Sequence, residues 1–203
     1  DAQQQRETAR QHYQRATELA PNDARPYLLL GQLYREQGEI DPAVAALDSG
    51  LKIEADNLQL HALAADCLLA RQDEDKNRWQ QVALHLEAYG RGVDRIRPLL
   101  GTGTRRTLET AGDLLQARLW IQQKKYKQAV DRLNERLIDP ALLTIQDRAT
   151  AWRLLEFCHR SLQQWAQAAA AAQERIVLDP TSVDLKMLAA VDLLIIDDFG
   201  LKP

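Results

Sequence analysis

Cysteine is scarce in this chain of 203 residues. Cys67 and Cys158 are the two present, far apart, with no CxxC and no histidine spacing that would assemble a zinc site. That speaks against a disulfide framework and against a metal. Long apolar runs are missing too: no stretch reaches the roughly 18 residues of a spanning helix, so membrane insertion is not expected. Positive charge is not in excess. A formal net charge of -3 and a pI near 5.8 offer no global attraction to phosphate backbones or anionic lipid, so nucleic acid is disfavoured and partners must be recognised locally. Serine stands only at Ser49, Ser161 and Ser182, without a nucleophile elbow, so hydrolase chemistry has no carrier. No G-x-x-x-x-G-K-[ST] loop is present to cradle phosphates. An enzyme is therefore not expected, nor a cofactor. The start Asp1-Ala2-Gln3-Gln4-Gln5 has neither an initiator Met nor a signal-peptide core, so the chain is expected to be a piece of a longer one. No residue assigns a compartment, cytoplasmic or periplasmic.

What is present favours helix. Composition is 45% hydrophobic and 27% charged, with abundant Ala, Leu, Gln, Glu and Arg and few β-branched runs, which points to an all-α chain forming one extended domain. Self-similarity carries the argument further. Tyr27, Leu30-Gly31 and Tyr34 are followed by Gly38, Ala43, Leu47, Gly50 and Ala55-Asp56-Asn57. Large residues recur at i, i+3, i+4 and i+7, and small Ala43 and Gly50 let a second helix approach closely. Gly38 is expected to end the first helix, and Asp41-Pro42 to cap and open the second. A second copy has Trp152, Leu155, His159, Trp165, Ala168, Ala172, Ile176 and Asp179-Pro180. A weaker third has Trp120, Tyr126, Ala129, Leu133 and Leu137 before Asp139-Pro140. The pattern resembles the tetratricopeptide repeat, a helix-turn-helix of about 34 residues.

The resemblance covers nearly the whole chain and divides it. Residues 1–23 match the second helix of a partial repeat through Ala9, Tyr13, Ala16 and Leu19. Residues 24–57 form a repeat, 58–109 a stretched one, 110–148 and 149–182 two more, and 183–203 the first helix of another partial repeat. In the stretched copy a few residues are added around 71–77 and about a dozen around 96–107 relative to the consensus. The longest irregular connection is expected near residues 97–106, with Gly101-Thr102-Gly103-Thr104 as a flexible connector. Thr144 and Asp147 have capping-box spacing.

The family implies a right-handed superhelical solenoid of helical hairpins. First helices line a concave groove that takes extended or helical segments of partners. Groove-facing positions then fall at Arg25, Leu28, Gln32 and Arg35, at Gln59, Ala62, Asp66 and Leu69, at Leu114, Arg118 and Ile121, and at Thr150, Arg153, Phe157 and Arg160. The partner-binding candidates among them are Arg25, Gln32, Arg35, Asp66, Arg118, Arg153, Phe157 and Arg160. A guanidinium can fork onto a carboxylate, so the arginines suggest a protein or peptide partner with an acidic or carboxylate feature. Each is also compatible with an ordinary solvated helix face. Phe157 fits either a hydrophobic anchor or packing between repeats. Family members that clamp a chaperone's terminal carboxylate use Lys and Asn. Here Arg153 and Phe157, or Leu28 and Gln32, stand at the corresponding places, so that adaptor role is unsupported.

Three further signals carry no function. Leu193-Leu194-Ile195-Ile196-Asp197-Asp198 looks like a Walker-B strand, but the phosphate loop that would complete a nucleotide site is missing. His12, His61, His85 and His159 are dispersed along the chain. Trp79, Trp120, Trp152 and Trp165 recur at repeat-specific places, as core residues do. The expectation is a protein-protein interaction scaffold. The alternative is a regulatory repeat domain of a larger enzyme or assembly whose catalytic part lies outside these residues.

Overall fold

The computed structural model describes residues 2–71, 76–138 and 143–178. All the regular structure among them is helical. The order is α1 (Ala2–Leu19), α2 (Ala24–Glu36), α3 (Ile40–Ile53), α4 (Leu58–Ala70), α5 (Lys76–Ile96), a 3-10 turn (Arg97–Leu99), α6 (Thr102–Gln122), α7 (Tyr126–Leu137), α8 (Ile145–Ser161) and α9 (Trp165–Leu178). The half-repeat expected over 183–203, with its Walker-B-like run, lies outside the described residues. So do Asp139-Pro140, Asp179-Pro180 and most of the insertion expected at 71–77. The chain divides into two compact units, Asp1–Leu115 and Gln116–Pro203.

In the first unit, α2 pairs with α3 and α4 with α5, while α4 also packs on α3 and α2. The reason is the apolar stripe read in the sequence. Leu30, Leu33, Ala43, Leu47, Leu60, Ala64 and Leu68 are all buried between helices. Gly31 makes the closest approach possible, because a Cβ there would lie 2.6 Å from the Leu47 side chain. Gly50 does the same for α4, where a Cβ would come within 3.0 Å of Leu60. Burying a leucine such as Leu47 in full contributes about 1.5–3 kcal/mol. In the second unit α8 packs on α7 and pairs with α9, over Ala129, Leu133, Ala151, Leu155, Cys158, Ala168 and Ala172.

Three first helices end in the same way. Gly38, Lys124 and Gln163 have positive φ of 78°, 60° and 60°. At each, the residue itself and the one after it donate backwards in a Schellman turn: Gly38 to Arg35 and Glu39 to Tyr34, Lys124 to Ile121 and Lys125 to Trp120, Gln163 to Arg160 and Gln164 to His159. Counting from these residues, a buried alanine follows five positions later in every copy: Ala43, Ala129 and Ala168.

Two expectations are corrected. Asp41 does not cap α3, which already begins at Ile40; it lies in the first turn and its carboxylate meets Arg71. Glu39 is held as the last donor of the α2 turn, so α3 has to start directly after it. The added residues near 96–107 do not make a long loop. They lengthen helices, since α5 and α6 run 21 residues each and Thr102-Gly103-Thr104 is the opening turn of α6. Arg105 N–H donates to Gly101 at 3.0 Å, and Glu109 faces Arg97 and Arg105. The Tyr89 hydroxyl also donates to the Leu108 carbonyl at 2.8 Å, tying α6 to α5. Thr144 does cap α8, accepting from Asp147 N–H at 3.0 Å.

Candidate binding surface

The candidate residues of the first unit are largely occupied with one another. Asp23 caps α2, and Arg25 folds back onto it at 2.6 Å, which holds the Asp23 carboxyl below its ordinary value. The hydrogen bond from the Arg25 side chain is the main cause. Arg35 on α2 meets Asp66 on α4, so these two candidates form an ion pair. Gln32 is exposed beside them. Leu69 and Leu114, read as groove positions, are instead buried, 4% and 8% exposed. The reason for Leu69 is that α4 is packed on three sides, by α2, α3 and α5.

In the second unit Arg118 is partly buried on α6, and three candidates converge on α8. Arg153, Phe157 and Arg160 line one cleft of about 550 Å³ with Glu156, Ser161, Trp165 and Arg175. Spacings of four and three residues put the first three on one helical stripe. Phe157 packs edge-on against Tyr126 of α7, ring centroids 6.3 Å apart, yet stays 51% exposed. Glu156 is buried at the back of the cleft, pairs with Arg175 and lies 3.6 Å from Arg160. Arg153 makes no ion pair among the described residues.

Sequence reasoning missed Glu156, Trp165 and Arg175 as parts of this cleft. The signal was in the register. Seven residues before the turn residue stand Gly31, Ala117 and Glu156, so a buried carboxylate replaces a small residue in the last copy. Nine after it stand Leu47, Leu133 and Ala172, and twelve after it Gly50, Arg136 and Arg175. Space lost at Glu156 is returned by Ala172, and the charge is met by Arg175.

The histidines are less dispersed than their numbering suggests, because the α4–α5 hairpin brings His61 Nδ1 to 3.0 Å from His85 Nδ1. His61 Nε2 lies 2.8 Å from the Ala55 carbonyl and must donate to it, so in the neutral pair His85 Nδ1–H donates to His61. Burial, then the neighbouring His61, pushes the His85 pKa down against the opposing pull of Asp48. Burial also raises both thiols, Cys67 and Cys158, to about 11. Among the described residues no group of three His, Cys, Asp or Glu converges to hold a metal, and no helix is long and apolar enough to cross a membrane.

The Tetratricopeptide repeat family model matches residues 2–76. Over those residues, short of half the chain, the sequence is similar to the tetratricopeptide repeat. A thermophilic tetratricopeptide-repeat protein of Thermus thermophilus shares the fold over 95% of this chain and 93% of its own, at 19% identity and a TM-score of 0.62. YrrB, described as a TPR protein with an unusual peptide-binding site, matches over 91% of this chain and 84% of its own, at 16% identity and a TM-score of 0.52. At these identities the tetratricopeptide likeness is one of fold. None of the curated proteins matches.

Proposed function

We propose that this tetratricopeptide array is a protein-protein interaction scaffold, holding a peptide or partner protein with an acidic or carboxylate feature against its first helices and catalysing nothing itself. One observation carries the reading: Arg153, Phe157 and Arg160, chosen from the repeat pattern, line a single cleft. A concave surface with an aromatic wall and guanidinium donors provides an anchor and two points of charge recognition. Exposed ion pairs contribute only about 0–1 kcal/mol, whereas charge-assisted hydrogen bonds contribute about 1.5–3 kcal/mol, so the exposed Arg153 and Arg160 become useful once a partner covers them. The test is to select peptides from a display library on the full chain and measure them by calorimetry. Arg153→Ala and Arg160→Ala should each weaken binding and lessen its salt dependence, while Lys127→Ala, exposed on the second helix α7, should not. If the selected peptides are indifferent to both arginines and sensitive to Lys127, the working face is the other one.

A further inference from the structure

The shared turns give the hairpins a common register, and that register identifies what the α8–α9 cleft is shaped to hold. Counted from Gly38 and Gln163, Arg160 stands where Arg35 does, Trp165 where Ile40 does, and Arg175 where Gly50 does. On the α2–α3 hairpin this surface is covered by α4, whose Leu60 sits on Gly50 and whose Asp66 pairs with Arg35. On α8–α9 the corresponding surface is the cleft, with Phe157 and Trp165 each 51% exposed.

We propose that the α8–α9 cleft seats an amphipathic helix of a partner protein, laid as α4 lies on α2–α3. An acidic side chain meets Arg160, a second acidic side chain takes the place that Leu60 has over Gly50, and an apolar one rests between Phe157 and Trp165. The inference builds on the scaffold reading and adds the partner's shape and charge pattern. Helices that bury one face in a groove present their anchors at such heptad-like spacings. Charge selects the occupant. Three guanidinium groups face one carboxylate, Glu156, and Arg175 occupies the floor where α2–α3 has a glycine. Glu156 pairs with Arg175 and lies 3.6 Å from Arg160, so this single carboxylate leaves the cleft with a net positive charge that an apolar side chain like Leu60 would not meet. The chain's own residues at the α4 offset are Leu185 and Val191, which carry no charge. A second copy of α4 would bring Asp66, which Arg35 already holds. An acidic helix from another protein is the occupant whose charges match.

A lactam-bridged helical peptide with the sequence of residues 57–71 supplies the probe, with Leu60→Glu to meet Arg175 and Cys67→Ser to prevent oxidation. Its neutral counterpart keeps Leu60 and carries Asp66→Asn. Titrated against the full chain by fluorescence anisotropy, the acidic helix should bind at least tenfold tighter than the neutral one. Arg160→Ala, an exposed position, should shrink that difference by removing the partner of Asp66, and Lys127→Ala should leave it. Equal binding of the two peptides, or indifference to Arg160→Ala, overturns the proposal. So does failure of both peptides to bind, or self-association of the chain that shuts them out. A proline-interrupted peptide of the same composition separates the two readings. If it binds as well as the helix and depends on Arg153, the acidic-groove function stands and the helical occupant falls.

Discussion

Removing Glu156 alone should harm the second unit far more than removing the whole charged arrangement around it. In Glu156→Ala the Arg175 guanidinium, whose side chain is 17% exposed, loses its buried carboxylate. Breaking one side of a buried pair typically costs about 3–5 kcal/mol, and Arg160 does not compensate because it is itself cationic. The triple replacement Glu156→Gly, Ala172→Leu, Arg175→Gly instead installs the pattern of Gly31, Leu47 and Gly50. Two helical glycines cost about 1 kcal/mol each relative to alanine. The leucine adds three carbons at about 0.8 kcal/mol apiece, about 2.4 kcal/mol. Exchanging a buried ion pair for apolar packing is commonly neutral or better, so the triple variant should match the parent to within about 1 kcal/mol. Urea denaturation followed by tryptophan fluorescence reads the difference. With slopes of about 1–3 kcal/mol/M, the single variant should lose about 1–5 M in midpoint and the triple variant, at the same slope, at most about a third as much. A harmless Glu156→Ala, or a triple variant as weak as the single one, would refute the claim that register explains this site.

Leu47→Ala should cost about 2–5 kcal/mol, since Leu47 is fully buried and fills the Gly31 socket; the same denaturation assay checks it, and a loss below about 1 kcal/mol would mean the hairpin collapses around the gap. His85 has a folded pKa below its ordinary 6.5, so the folded chain binds fewer protons than the unfolded one. Its contribution is present above about pH 6.5 and lost as pH falls below it; His85→Phe should flatten the urea midpoint between pH 7 and pH 5, and an unchanged slope would discount the pair. Lys124→Gly and Gln163→Gly should each stabilise by up to about 1 kcal/mol by relieving the left-handed backbone, while Gly38→Ala should destabilise; thermal melts that rank them otherwise would contradict the turn geometry.

Local rules made part of this architecture legible. The apolar stripes of α2 and α3, the Gly38 turn and the Thr144 cap follow from periodicity and from one residue's conformational freedom. The failures came where two distant positions act together. Lys124 and Gln163 carry no glycine signal, and their turns are held by the same backward hydrogen bonds that Gly38 makes without strain. Thr102-Gly103-Thr104 looks like a connector, and its continuation in α6 is tied down by the Tyr89 hydroxyl from α5. In the candidate surface, arginines on the first helices could be found by spacing. That Arg35 is taken up by Asp66 while Arg153 makes no ion pair among the described residues depends on which helix covers them. Glu156 becomes intelligible only when the hairpins are laid in register, because it is unusual solely in comparison with its small counterparts Gly31 and Ala117.

The socket between facing helices sets where these hairpins can be cut and recombined. Gly31 accepts Leu47, and at the corresponding positions of the last copy stand Glu156 and Ala172, both buried, so each first helix is matched to its own second helix. A chimera joining α2 to α9 would set a glycine opposite an alanine and leave a hollow, while α8 joined to α3 would force a carboxylate against a leucine. Crossovers inside the Schellman turn are therefore penalised even though the turn backbone is the same in both hairpins. Exchange between copies, by duplication in evolution or by an engineer, should succeed when whole hairpins move as units.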